Sequence, residues 1–313
     1  MARWTAREIP GLGGRNAVVT GAGEGVGLHT ALELVRYGAR VVIASRDRGK
    51  GEAAAARIRA ETGGKGGGSV EWLPLDLGDL SSVERFATGF SAAHDGLDLL
   101  VNNAGVMALP RGLTADGFER QFGVNHLGHF ALTGLLLPVL LARPGARVVT
   151  VTSGLHRSGR MDFDDLMGER RYGRLRAYTQ SKLANVLFAL ELHRRVTGAG
   201  ADLVSAVAHP GVARTNLART GNPMQGLLVT LAKLPAQSAA AGALPSLYAA
   251  TAAGVLGGEA FGPDGFAERR GHPTRIRPAA QAYDRVAARR LWETSEELTG
   301  VRFSAFDRGE VRP

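Results

Sequence analysis

The 313-residue chain contains no cysteine, which excludes disulfides, thiolate catalysis and thiolate-ligated metals, though it does not by itself fix the redox compartment. No run of about 18 uninterrupted apolar residues occurs, and residues 1–14 carry no hydrophobic signal region, so neither spanning nor secretion is expected and the default address is cytoplasmic. Lysine is scarce: only Lys50, Lys65, Lys182 and Lys233 stand among 38 basic residues. The net charge of +9 therefore rests on arginine, spread along the chain with one short cluster at Arg170, Arg171, Arg174 and Arg176. With alanine and glycine also abundant, that looks like compositional bias, and no nucleic-acid partner is expected. At 44% apolar and 21% charged, the chain suits a globular body with an ample core, read as a single domain.

Short β-branched runs are present in a regular series: 17–20, 41–44, 70–75, 97–101, 147–151 and 203–208 read as strands. Helical stretches lie between them, and strands joined by crossovers predict a parallel sheet covered on both faces, a doubly wound α/β architecture. After residue 210 the alternation weakens into an Ala/Leu-rich stretch, a Gly/Pro/Arg-rich stretch over 254–278 and a terminal helix near 279–298. Gly63 to Gly68 reads as a flexible connection.

The first predicted strand runs into Thr20-Gly21-Ala22-Gly23-Glu24-Gly25-Val26-Gly27 and then a helix-like segment. Glycines let a backbone approach a pyrophosphate closely, and a helix N-terminus offers unpaired N–H groups to it. An ordinary tight turn is the plainer reading. The spacing is not G-x-G-x-x-G, because Val26 takes the last glycine position; it is T-G-x-x-x-G-x-G. Farther on, Tyr178 and Lys182 are four residues apart in a predicted helix, hence on one face one turn apart. A lysine ammonium nearby would favour the phenolate of a tyrosine.

These motifs, in this order, resemble the short-chain dehydrogenase/reductase family, and the resemblance spans nearly the whole chain. It implies a Rossmann-type domain over 15–313 behind an N-terminal tail (1–14), with a substrate-loop region at 212–240 and a C-terminal extension at 254–313. It also implies a cofactor site at Gly21, Gly23, Glu24, Gly25, Val26 and Gly27. At the end of the second strand, Ser45 and Arg46 stand where an NAD-preferring protein carries an acidic residue. Arg46 could pair with a 2′-phosphate, so NADP(H) is expected, with NAD(H) possible because Glu24 would repel that phosphate. Asp76 and Leu77 resemble the adenine position, although an acidic helix cap explains Asp76 equally well. Asn103, Ala104 and Gly105 resemble the family's N-N-A-G element, and Pro210, Gly211, Val212 and Thr215 its nicotinamide-holding P-G-x-x-x-T element, or else simply a turn.

By the same resemblance the catalytic set is Asn125, Ser153, Tyr178 and Lys182: Tyr178 as general acid/base, Ser153 orienting the substrate, Asn125 holding a water, and Lys182 binding ribose and lowering the tyrosine pKa. Tyr178 and Lys182 thus count among the cofactor contacts as well. The closest likeness is to the retinol-dehydrogenase-like and WW-domain-oxidoreductase-like branch, carried by Ala44-Ser45-Arg46-Asp47, Asn125-His126-Leu127-Gly128-His129-Phe130 and Tyr178-Thr179-Gln180-Ser181-Lys182. No metal site is expected; His126, His129, His156 and His209 read as structural. The 155–176 insertion and the 212–240 stretch, with its Leu217, Met224, Leu227, Leu228, Val229 and Leu231, are expected to form an apolar pocket for a carbonyl or alcohol. The family's usual packing of helices around 115–141 and 178–196 makes a homodimer possible, unless the insertion covers that surface. Two other functions fit the fold: a nucleotide-binding sensor without turnover, and a redox-neutral epimerase or dehydratase.

Overall fold

The computed structural model describes residues 3–63, 67–213 and 236–306. In chain order they form β1 (Asn16–Thr20), α1 (Gly25–Arg36), β2 (Arg40–Ser45), α2 (Arg48–Thr62), β3 (Ser69–Pro74), α3 (Leu80–Ala93) and β4 (Leu99–Asn102). A short α4 (Arg120–Phe122) leads through a π-helical turn (Gly123–Leu127) into α5 (Gly128–Leu135) and α6 (Leu137–Leu141). Then come β5 (Ala146–Val151), the long α7 (Arg174–Gly198), β6 (Leu203–Ala208), α8 (Ala239–Thr251), β7 (Ala260–Pro263), β8 (Pro273–Ile276) and α9 (Arg285–Thr299).

The strands make one sheet in the order β3-β2-β1-β4-β5-β6-β7-β8. Every pairing is parallel except β7 with β8, so the doubly wound expectation holds, with an antiparallel edge added. Alternation along the central strands explains why both sheet faces are apolar. Ala17, Val19, Val41, Ile43, Leu99 and Val101 join the core under α1 and α8. Val18, Val42, Leu100 and Val148 point the other way into the core with α3, α5, α7 and α9.

Three expectations need correction. The six predicted strands match within two residues, but β7 and β8 lie inside the stretch read only as Gly/Pro/Arg-rich. Of the N-terminal tail, residues 3–14 are packed on the domain: Ile9 and Leu12 are buried, and Trp4 stands edge-on to Tyr248 at 5.2 Å between centroids. The terminal helix starts later than expected, behind a 3-10 turn at Ala280–Tyr283, because Asp284 caps α9 through the N–H groups of Val286 and Ala287.

α9 bears on the expected dimer face. Its buried stripe of Ala288, Leu291, Trp292 and Ser295 lies on α5 and α7. Trp292 packs 5.1 Å from Phe130, 5.8 Å from Phe188 and 4.5 Å from Phe303. The insertion's Met161, Phe163, Leu166 and Met167 pack in a second cluster, with Ala288 and Leu291 of α9 and Leu183 and Leu187 of α7. α9 and the insertion thus both lie against α7, one of the helices of the possible homodimer face. Among the described residues, no helix is long and apolar enough to cross a membrane.

His126 and His129 are buried beside this cluster, and desolvation pushes their pKa values down to about 3 and about 4. Both are neutral at pH 7, and each regains its ordinary affinity for a proton on unfolding. Stability is therefore full above about pH 6.5 and falls as pH drops toward 4, by roughly 1.4 kcal/mol per pH unit per histidine. Thermal melts followed by circular dichroism across that range should show the loss, and His126→Gln should reduce its slope.

Candidate active site

Thr20 ends β1, and the chain turns at Gly21, where φ is +66° and an added Cβ would lie 2.8 Å from the Ala104 Cα. At Gly27 a Cβ would sit 2.5 Å from Asn103 Nδ2, so glycine lets α1 close on the loop after β4. The N-cap of α1, Glu24, gives no side-chain hydrogen bond to the first turn, whose N–H groups face a cleft of about 810 Å³. An uncapped helix start beside a glycine turn fits a dinucleotide pyrophosphate.

The loop after β4 is held by one hydroxyl. Thr20 Oγ1 accepts from the N–H groups of Asn103 and Ala104, each at 2.9 Å, and lies 2.9 Å from His129 Nε2. Asn103 Nδ2 donates to the Thr20 carbonyl at 2.8 Å. His129 Nδ1 reaches the Asn125 carbonyl at 3.0 Å, so Nδ1 donates and Nε2 accepts from Thr20.

Asn125 sits in the π-helical turn. Its Oδ1 accepts from Val106 N at 2.7 Å, and its Nδ2 donates to Val106 O and Ser181 Oγ, both at 2.9 Å. Both amide hydrogens are spent, so the side chain clamps the 103–106 loop to α7. The water-holding role expected of Asn125 has no free N–H of that amide to carry it.

α7 starts one turn before Tyr178, at Arg174. Tyr178 and Lys182 are both 4% exposed, with Lys182 Nζ 6.0 Å from the Tyr178 ring centroid. The end of β5 is stitched to this helix: Thr152 Oγ1 donates to Lys182 O at 2.7 Å, and Lys182 Nζ to Val151 O at 3.3 Å. Two residues past β5, Ser153 Oγ accepts from Leu155 N at 3.3 Å and lies near enough to the Tyr178 phenol to oppose its burial. Burial pushes that phenol up to about 12, with Ser153 opposing, and desolvation brings Lys182 down to about 8. Burial, rather than the Lys182 ammonium expected to lower it, sets the direction for the phenol.

The cleft is lined at one end by Gly21, Glu24, Gly25, Val26 and Gly27, with Ser45, Arg46, Asp76 and Leu77 beside them. Asn103, Ala104 and Gly105 form its middle, and Tyr178, Lys182 and Pro210 its other end. Gly23, Gly211 and Val212 are not among the lining residues: Gly23 backs onto Lys50, and the Val212 N–H is taken by the Arg269 carbonyl at 2.8 Å. Thr215 and the 217–231 apolar residues lie outside the described residues. Asp76 is no helix cap; Asp79 caps α3, while Asp76 accepts from Gly78 N and pairs with Arg46 at 3.7 Å. Ser45 Oγ accepts from Trp72 Nε1 at 3.0 Å.

Lys50 escaped the sequence reading. Its Nζ lies 3.4 Å from Glu24 Oε1, which offsets the carboxylate expected to repel a 2′-phosphate and adds a second cation near Arg46. The insertion also departs from expectation: none of residues 155–176 lines the cleft, whose nearby wall is Val106, Leu109, Leu113 and Thr114 instead. It acts at one remove, with Tyr172 Oη donating to Leu109 O at 2.8 Å and Arg111 Nε to Gly168 O at 3.0 Å. Among the described residues, no group of three His, Asp or Glu side chains could hold a metal ion.

A doubly wound sheet with a glycine turn at the carboxyl ends of its strands, facing a buried Tyr-Lys pair, defines a nucleotide-binding oxidoreductase. The chain belongs to the short-chain dehydrogenase family, whose model matches residues 15–226, and within it to the retinol-dehydrogenase-like branch. It is 44% identical over 303 residues to human retinol dehydrogenase 13, covering 92% of this chain and 85% of that one. It is also 44% identical over 300 residues to mouse polyprenol dehydrogenase, covering 94% and 86%. An uncharacterised protein from Mycobacterium paratuberculosis has a solved structure that superposes with a TM-score of 0.80 at 44% identity, covering 96% of this chain and 99% of that one. The chain is thus an enzyme of alcohol and carbonyl oxidoreduction that uses a nicotinamide dinucleotide.

Thr20→Val keeps the shape of the side chain but strips an acceptor from two backbone N–H groups. A loss of about 2 kcal/mol in denaturant unfolding is expected, with weaker dinucleotide binding by fluorescence titration.

Proposed function

We propose that the protein is an NADP(H)-dependent reductase or dehydrogenase that interconverts an apolar aldehyde or ketone with its alcohol, using Tyr178 as general acid/base. The observation that carries this reading is the buried Tyr178–Lys182 pair at one end of the cleft, with Ser153 beside the phenol, opposite the uncapped start of α1.

Bound NADPH supplies the hydride. The residues of the chain supply the rest. With its pKa near 12, Tyr178 is protonated at neutral pH and ready to give its proton to a carbonyl oxygen. Ser153, beside the phenol, holds that same oxygen in line. Lys182, charged below about pH 8, favours the phenolate left behind, and Asn125 fixes the loop opposite. Alcohol oxidation runs these steps in reverse. Preference for the 2′-phosphorylated cofactor rests on Arg46 and Lys50, with Glu24 offset by Lys50.

Relatives named for retinol and polyprenol act on alcohols of long apolar molecules, and Val106, Leu109 and Leu113 offer such a substrate an apolar wall. A small-molecule substrate, rather than nucleic acid, and a cytoplasmic address complete the reading. The sensor alternative loses ground because the catalytic set is assembled, and the epimerase alternative because the glycine spacing differs from theirs.

The test is loss of reduced-nicotinamide absorbance with a panel of apolar aldehydes, ketones and quinones. NADPH should be consumed faster than NADH, and Tyr178→Phe should cut turnover at least about 100-fold while NADPH still binds. Retained turnover in that variant would remove Tyr178 from its role, and equal or tighter NADH binding would overturn the cofactor preference.

The reductive rate should be level from about pH 6 to 7, fall by about half near pH 8 and decline further above it, as Lys182 loses its proton. Lys182→Arg, which keeps its charge, should move that decline upward in a pH–kcat series.

A further inference from the structure

The tip of the β7–β8 hairpin adopts a backbone that its residues resist. Among the described residues only three non-glycines have positive φ, and two are adjacent here, Ala267 at +51° and Glu268 at +54°. Such conformations persist when surrounding contacts over-determine them, and they cluster at functional sites. What holds this one is visible. One oxygen of the Glu268 carboxylate lies 2.9 Å from His209 Nε2, and the other accepts from Arg157 Nη2 at 2.6 Å.

Each partner adjoins an element of the proposed site: His209 precedes Pro210, which lines the cleft, and Arg157 follows Ser153 in the chain. His209 is 1% exposed and opens the Pro210-Gly211 turn at the end of β6; its Nδ1 accepts the Gly211 N–H at 3.1 Å, so its Nε2 carries the proton given to Glu268. Arg157 lies in the 3-10 turn Gly154–Ser158 that follows Ser153. The hairpin grips the Pro-Gly turn twice more. Arg269 O accepts from Val212 N at 2.8 Å, and Gly271 N donates to Gln237 Oε1 at 3.2 Å, while Gln237 Nε2 donates to Pro210 O at 2.6 Å.

We propose that Glu268 is a positioning residue for the reaction: its carboxylate, bridging His209 and Arg157, sets the spacing between the Pro210-Gly211 turn and the Ser153 loop. These are the elements that flank the hydride donor and the carbonyl, an assignment that rests on the function proposed above. The strained backbone is what places the carboxylate between His209 and Arg157. A misplacement of about 1 Å between reacting groups costs on the order of 100-fold in rate, so a spacer of this kind acts on kcat rather than on cofactor affinity.

The experiment compares Glu268→Ala, Glu268→Gln and a control, Arg275→Ala, which cuts the 2.9 Å Arg275–Glu259 pair on the same hairpin away from the cleft. Steady-state kinetics, NADPH titration and amide hydrogen exchange are read on each. Glu268→Ala should lower kcat by about 10- to 100-fold, shift NADPH affinity by less than about threefold and raise amide exchange at 211–213. Glu268→Gln, whose single amide oxygen still accepts from His209 but not from Arg157, should recover part of the rate, and the control should match wild type. The proposal is overturned if Glu268→Ala keeps kcat within about twofold of wild type, if Gln does no better than Ala, or if the control loses as much. Should wild type show no Tyr178-dependent turnover, the proposed function fails instead, and exchange alone decides the bridge: raised exchange upholds it, and unchanged exchange overturns it.

Discussion

Thr20 Oγ1 is the atom on which the site converges. It receives the N–H groups of Asn103 and Ala104 and passes its own hydrogen toward His129, whose other nitrogen donates to the Asn125 carbonyl. This relay works in one protonation state. A charged imidazole would donate from both nitrogens, turning the threonine hydrogen away toward the Val101 carbonyl at 3.4 Å, and burial excludes that charge by holding His129 down to about 4. The glycine turn, the loop after β4 and the π-helical turn therefore share one register, set by a neutral ring.

Burial acts on the chemistry in the same way. α7 is enclosed along most of its length, by the sheet on one side and by α9 and the insertion on another, and it carries Tyr178 and Lys182 inside that enclosure. Removing water raises the phenol and lowers the ammonium, so at neutral pH the protein alone keeps a proton on each. In the reaction proposed above, the proton for a carbonyl oxygen is thus held on a phenol that meets solvent only through the cleft.

Features set by near neighbours in the chain were legible in the sequence. Six strands followed from β-branched runs, the cofactor turn from glycine spacing, and the shared face of Tyr178 and Lys182 from helical period. What escaped depends on contacts between distant segments. β7 and β8 are four residues each, contain proline and glycine, and become strands because β6 offers β7 an edge. Lys50 has no motif of its own and matters because α2 sets it against Gly23 and Glu24. The insertion read as a pocket because of its place before Tyr178, yet Met161, Phe163 and Leu166 bury themselves against α7 and α9, and only Tyr172 reaches the cleft wall. Asn125 lay at the right position, but the bond to Ser181 that spends its amide arises only once α7 packs on the π-helical turn.

The seal that α9 places on the back of α7 also sets an order of events during synthesis. Trp292 and Phe303, which close the aromatic cluster around Phe130 and Phe188, leave the ribosome after all of β1 to β8 has been made. Until they emerge, the helix bearing Tyr178 and Lys182 presents an uncovered apolar flank, while β1 to β4 and their helices have long been available to associate. A nascent chain therefore holds its glycine turn early and its sealed α7 only later, and the interval between the two is when it is most exposed to chaperones and to misassembly.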